Sequence, residues 1–150
     1  MLPEMRSLVP QSGSMVLLDR VLSADAERLC AEVVIRRDSL FCNAAGVGAW
    51  VGLEYMAQAI GAHAGYLASL AGEPVKLGFL LGTRRYECHC ELFAPGAVLQ
   101  VHVERQLLAQ NGLGAYSCRI ESHNKELAAA TVTVFQPADA QAILSGAVNE

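Results

Sequence analysis

Hydrophobic positions along this chain follow two different periods. From Gly46 to Leu70 apolar residues recur at three- and four-residue steps, through Trp50, Leu53, Met56, Ala57, Ile60, Ala64 and Leu67, which is helical spacing. Val51, Ala59 and Ala62 lie on the other side, so the predicted helix is apolar almost all round. A helix of that kind is wrapped by protein on most of its surface. Each glycine in it costs roughly 1 kcal/mol relative to alanine, so several in one buried helix signal close approach of a neighbouring backbone. Glu54 is the single charge in the run, and a lone carboxylate there is either paired or functional. Gly72-Glu73-Pro74 stops the helix.

Outside that segment the period drops towards two. Met15 to Val21 reads as a short strand, Ser23 to Glu27 as a turn, and Arg28 to Arg36 as a strand with Leu29, Ala31, Val33 and Ile35 alternating. Residues 37–45 are polar and irregular. Beyond the helix, strands are predicted over Lys76–Glu91, Ala97–Leu108, Leu113–Ser122 and Glu126–Phe135. They are separated by Ala94-Pro95-Gly96, by Asn111-Gly112 (the strongest hairpin signal in the chain) and by His123-Asn124-Lys125. Residues 8–14 form a loop, and 137–150 a tail that is a short helix or disordered. Two strands, one long buried helix and a meander of strands make an α+β chain. The expected arrangement is the hot-dog fold, an antiparallel sheet wrapped around one long central helix. It forms a single domain over 1–150, with its core at about 8–136.

Composition narrows the function. The net charge is -4, so no basic footprint argues for nucleic acid. Glu54 breaks the only stretch long enough to span a membrane, and Met1 to Ser7 lacks the apolar core of a signal peptide. A soluble, cytoplasmic protein is expected. Hydrophobic content of 53% against 17% charged residues exceeds what a free-standing monomer needs, which predicts a dimer. The five cysteines are odd in number and lack CxxC spacing, so they read as small buried residues. Cys88-His89-Cys90 does not read as a metal site, because a strand would put the cysteines on one face and the histidine on the other.

Three segments carry a family resemblance: Pro10-Gln11-Ser12-Gly13-Ser14-Met15-Val16-Leu17-Leu18-Asp19-Arg20-Val21, Gly52-Leu53-Glu54-Tyr55-Met56-Ala57-Gln58-Ala59-Ile60-Gly61, and Phe79-Leu80-Leu81-Gly82-Thr83-Arg84-Arg85-Tyr86. In this order they resemble the bacterial 3-hydroxyacyl-carrier-protein dehydratases, over roughly Leu8 to Gln136. Ala49 to Gln58 is most similar to the hot-dog dehydratase branch associated with aryl polyene biosynthesis. The resemblance implies dehydration of 3-hydroxyacyl thioesters. The substrate would be carried on the phosphopantetheine of an acyl carrier protein or on CoA, with no further cofactor and no metal. The implied partners are the carrier protein and a second subunit, either a homodimer mate or a related dehydratase. The pattern is also broken. The family's loop histidine ahead of the helix falls near Asn43 or Ala44 here, and a second common histidine position is Gln11.

The implied chemistry needs a base for the α-proton, an acid for the departing hydroxyl and donors for the enolate-like oxygen. Glu54 is the retained acid/base residue, Gln58 one turn later an orienting group, and Asn43 a stand-in hydrogen-bonding group for the histidine. Free N–H groups at Gly46, Gly48 and Ala49, at the expected helix start, would receive the thioester oxygen. Trp50 would line the pocket, and Arg84 and Arg85 would hold the carrier's phosphate at its mouth. His63 lies about two and a half turns from Glu54 and is expected to pack at an interface. Within the dehydratase reading, the missing histidine points to a catalytically weakened subunit that pairs with a complete dehydratase. Two alternatives share the fold: a thioesterase working through Glu54 and the helix-start donors, and a non-catalytic subunit that binds acyl thioesters.

Overall fold

The computed structural model describes residues 4, 5, 8, 16–73 and 79–135, and all of their side chains except those of Phe79, Leu80, Leu81 and Arg84. The loop around Gln11, the stop at Pro74, the strand start at Lys76 and the tail 137–150 lie outside the described residues. Among the described residues nine strands and one long helix follow in order: β1 (Arg20–Ala24), β2 (Arg28–Val34), β3 (Cys42–Asn43), β4 (Gly46–Gly48), α1 (Gly52–Leu70), β5 (Phe79–Cys88), β6 (Leu92–Phe93), β7 (Val98–Leu108), β8 (Leu113–Ser122) and β9 (Lys125–Phe135). A single 3-10 turn, Ala49–Val51, joins β4 to α1.

Six strands form an antiparallel sheet in the order β1-β2-β7-β8-β9-β5. Its registers follow from the alternating apolar positions. Leu29, Ala31 and Val33 of β2 pair with Val103, Val101 and Leu99 of β7. Ile120 and Cys118 of β8 lie opposite Val101 and Val103. All of these are buried and face α1, which packs on β2, β7 and β8. Turn chemistry closes the hairpins. Asp25 Oδ1 accepts the N–H groups of Glu27 (2.9 Å) and Arg28 (2.8 Å) between β1 and β2. His123 and Asn124 have φ of 53° and 63°, the left-handed pair that a two-residue hairpin needs. Gly65 sits where a Cβ would lie 2.1 Å from the Leu8 carbonyl oxygen, so the chain ahead of β1 crosses the helix directly on its backbone. The close approach expected of the helical glycines is realised there, whereas Gly61 has nothing within 4 Å among the described residues.

The structure differs from the sequence reading in several places. Among the described residues the first paired strand is Arg20–Ala24, where a strand was expected over Met15–Val21, of which Met15 lies outside the described residues; Leu17, ahead of it, is tied to the helix instead, through the Gln58 side chain. Gly46–Gly48 is a strand pairing with β3 and β6, so the helical run starts at Ala49. The buried side of α1 runs through Tyr55, Met56, Ala59, Ile60 and Ala62, while Leu53, Ala57, Ala64 and Leu67 are half-buried and Trp50 is exposed. A helix apolar all round carries no pattern that tells the innermost stripe from its neighbours.

His63 packs inside this chain's own core, not at an interface. Its Nε2 lies 3.0 Å from the Asp25 carbonyl oxygen and its Nδ1 3.0 Å from the Tyr116 hydroxyl. A carbonyl only accepts, so Nε2 carries the proton and Nδ1 accepts from Tyr116. Burial pushes the His63 pKa down, and the Arg105 charge adds to that, against the Asp25 carbonyl. A pKa lower in the folded than in the unfolded chain means that unfolding takes up a proton. The stabilisation is therefore complete above the unfolded value, about 6.5, and is lost as pH falls from there through the folded value. His102 is also held down, by burial and Arg119, and adds the same sign. Denaturant unfolding between pH 7.5 and 5 is expected to show stability falling with acid, by at most about 1.4 kcal/mol per pH unit for each histidine. His63→Gln should flatten that slope. An unchanged slope would refute the assignment.

Candidate functional site

The exposed approach to the helix is built by the three-stranded sheet β3-β4-β6. Phe41, with φ of 70°, turns the chain into β3. Asn43 then folds its side chain back on its own loop: Oδ1 accepts the N–H groups of Ala45 (2.9 Å) and Gly46 (3.2 Å). Its oxygen is thus engaged in shaping the β3–β4 turn, and the residue is exposed. Gly46 and Gly48 lie in β4 with Val47 paired to Phe93. The Ala49 N–H donates to the Glu91 carbonyl at 3.0 Å. The donors expected at Gly46 and Ala49 are therefore already bonded. The free N–H at the head of the run moves on to Trp50, which by helical geometry has no intrahelical acceptor, while the Val51 N–H is taken by the Gly48 carbonyl in the i→i+3 pattern of the 3-10 turn.

Trp50 is 67% exposed, with its ring 5.6 Å from that of Phe41 in an edge-on arrangement. Its indole folds back over Gly48, where a Cβ would lie 2.5 Å from Nε1. Leu92, paired with Gly48 in the neighbouring strand, is also exposed. The pocket-lining residue expected at Trp50 is thus part of an open aromatic face.

Glu54 stands in the first turn of α1, half-buried. It is three and four residues beyond Val51 and Trp50, the spacing that makes helical neighbours. Among the described residues no hydrogen-bond or ion-pair partner holds its carboxylate. Arg85, a candidate structural partner, is exposed at an irregularity of β5 with φ of 54°. The Arg84 side chain lies outside the described residues. Gln58 is one turn on but turned inward: it is 1% exposed, and its Oε1 accepts the Leu17 N–H at 2.9 Å. It ties the segment ahead of β1 to the helix.

Tyr86 of β5, to which the sequence analysis gave no role in the site, reaches the same opening turn. Its hydroxyl donates to the Ala49 carbonyl at 2.5 Å and occupies the space where a Cβ on Gly52 would go. Burial, the neighbouring Cys88 thiol and Tyr55 all push its pKa up, burial most, so it is a neutral donor at physiological pH. The available signal was a glycine at the first α-helical position, where propensity alone disfavours it.

The remaining histidines are remote in role. His102 lies 3.1 Å from Glu121, and His89 lies 3.8 Å from Glu126. Cys88 and Cys90 approach to 3.8 Å on one side of the chain. Among the described residues no cluster of three His, Cys, Asp or Glu could hold a metal ion, and no helix is long and apolar enough to cross a membrane.

Comparison with known proteins matches this geometry to a family and a fold. A family model described as ApeP dehydratase, ApeP-like, matches residues 3–145. The chain is similar to the dehydratase heterocomplex ApeI:P from Xenorhabdus doucetiae, at 26% identity over 100% of both chains with a TM-score of 0.90. More distant likenesses show the hot-dog fold alone. A hypothetical thioesterase with coenzyme A from Streptococcus pneumoniae is 12% identical over 78% of this chain and 84% of that one, with a TM-score of 0.62. A mutant of the phenylacetic acid degradation protein PaaI from Thermus thermophilus is 20% identical over 77% and 90%, with a TM-score of 0.57. No curated protein matches the sequence.

Proposed function

The chain belongs to the ApeP-like dehydratase family, and from that premise we propose that it is one half of a two-subunit dehydratase acting on 3-hydroxyacyl thioesters of an acyl carrier protein in aryl-polyene-type biosynthesis. The observation that carries this reading is Glu54: a half-buried carboxylate with no described partner, one helical turn from the free Trp50 N–H. The reaction removes a proton from the α-carbon and breaks the bond between the β-carbon and its hydroxyl. That hydroxyl leaves as water with one added proton, and a double bond forms between the two carbons. The elimination is redox-neutral, so it needs no electron-carrying cofactor. In this reading Glu54 moves one of the two protons, and the Trp50 N–H stabilises negative charge on the thioester oxygen.

A second proton-transfer group is required, and the described residues of this chain offer none beside Glu54. His63 is bonded inside the core, and Asn43 is engaged in its turn. The missing group comes, in this reading, from a related dehydratase subunit seated on the open face of Phe41, Trp50 and Leu92. The similarity to ApeI:P, itself a dehydratase heterocomplex, supports such a pairing. The phosphopantetheine phosphate would meet Arg84 and Arg85.

The test is a two-channel assay. The purified chain, alone and with a complete dehydratase encoded beside it, is incubated with a 3-hydroxyacyl-carrier-protein thioester, and both enoyl product and free thiol are followed. Enoyl formation that needs this chain supports the proposal. Thiol release without enoyl would replace it with a thioesterase, and silence in both channels with the partner present would leave an acyl-binding subunit.

A further inference from the structure

Ala49 is the residue at which the β4 strand becomes helix, and it is held from outside the helix on both its polar atoms. Its N–H donates to Glu91, and its carbonyl accepts the Tyr86 hydroxyl as well as the Gly52 N–H of the 3-10 turn. The carbonyl is already satisfied by Gly52, so the phenol is not needed to rescue an orphaned acceptor. A phenylalanine would fill the same volume against Phe93 and Ile120, both of which border Gly52. What the hydroxyl adds is a fixed point on the turn. The chain accommodates it with a glycine at position 52, because a Cβ there would lie 2.3 Å from the Tyr86 oxygen. Two residues from separate elements are thus matched to each other at the place where α1 begins.

We propose that Tyr86, with Gly52 as its seat, is a positioning residue that fixes the Ala49–Val51 turn, and with it the Trp50 N–H group, relative to Glu54. This rests on the dehydratase reading for its catalytic consequence, though not for the clamp itself. A turn free to rock by a fraction of an ångström would leave ground-state binding nearly intact. It would misplace a donor that matters as charge develops on the thioester oxygen. Tyr86 touches neither substrate nor reacting atoms in this scheme; it acts through the Ala49 carbonyl.

The experiment compares wild type, Tyr86→Phe, Gly52→Ala and the double variant, each assembled with the partner dehydratase, and adds amide exchange on the chain alone. Tyr86→Phe is expected to lower kcat for enoyl formation by about tenfold or more with KM within about twofold, while Tm falls by only about 3 °C. Exchange at the Ala49 and Gly52 amides should quicken by about tenfold while the core amides of β7 and β8 stay unchanged. Gly52→Ala should reproduce the kcat loss in the wild-type background. It should add little once the hydroxyl is gone, a non-additivity that marks direct contact. An unchanged kcat in Tyr86→Phe, or a loss that merely tracks Tm, would overturn the positioning role. Enoyl silence of the wild-type complex would remove the dehydratase reading instead. The exchange comparison still decides the clamp in that case, since unchanged protection at Ala49 and Gly52 overturns it.

Discussion

Replacing Glu54 by glutamine is expected to lower the rate of enoyl formation by the assembled dehydratase by about 10²- to 10⁴-fold, with Tm hardly moved. The substitution keeps the shape of the side chain and removes only its capacity to carry and deliver a proton. The structure gives a reason to expect that fold and function separate here. No described group pairs with the carboxylate, so its loss strands no buried cation and breaks no hydrogen bond. The side chain is half-buried, so the neutral amide still reaches solvent. A structural carboxylate behaves in the opposite way. Asp19 shows the contrast: its two oxygens hold Arg36 at 2.8 Å and the Val34 N–H at 2.7 Å, and neutralising it would cost stability first. Steady-state rates with a carrier-bound 3-hydroxyacyl substrate and a thermal melt of the same preparations decide between the two behaviours. A Glu54→Gln protein that is less stable yet still dehydrates would make Glu54 a structural residue and remove the proton-transfer role assigned to it.

Most of the fold was legible because strands announce themselves by alternation and turns by their residues. Leu29, Ala31 and Val33 read as one face of a strand, and they are one face of β2. The site was legible in content more than in geometry. Glu54 stands out as the single charge in an apolar run, which one sequence shows directly. The donors were placed too early in the chain because Gly46-Val47-Gly48 is compatible with helix or strand, and only its pairing with Cys42–Asn43 and Leu92–Phe93 decides. Pairings between short segments far apart in sequence leave no periodic trace. The same holds for Gln58, whose partner is a backbone N–H 41 residues away, and for Tyr86, whose hydroxyl meets a carbonyl 37 residues away. Trp50 illustrates the converse error. Helical spacing assigned it to the buried stripe, yet it precedes α1 proper, sits on the 3-10 turn and faces outward beside Phe41.

Gly61 and Gly65 carry that lesson into a measurable contrast. They are one turn apart on α1, have the same ordinary helical backbone and are indistinguishable by propensity. Alanine at position 61 meets nothing within 4 Å among the described residues, so it should gain what alanine gains over glycine in a helix, up to about 1 kcal/mol. Alanine at position 65 would place its Cβ 2.1 Å from the Leu8 carbonyl oxygen and 2.9 Å from the Leu8 carbonyl carbon. Those are backbone atoms, which cannot swing aside as a side-chain tip can. Leu8 itself is 1% exposed and belongs to the hydrophobic core, so moving it withdraws a buried side chain as well. The overlap and the displaced leucine together should destabilise the fold by about 3 kcal/mol or more. Denaturant unfolding of the isolated chain reads both variants on one scale, with Gly61→Ala shifted to higher and Gly65→Ala to lower midpoint. Equal effects would mean that Leu8 does not cross the helix at Gly65. A Gly61→Ala protein that is stable alone but fails to join its partner would place the partner subunit against that turn of α1.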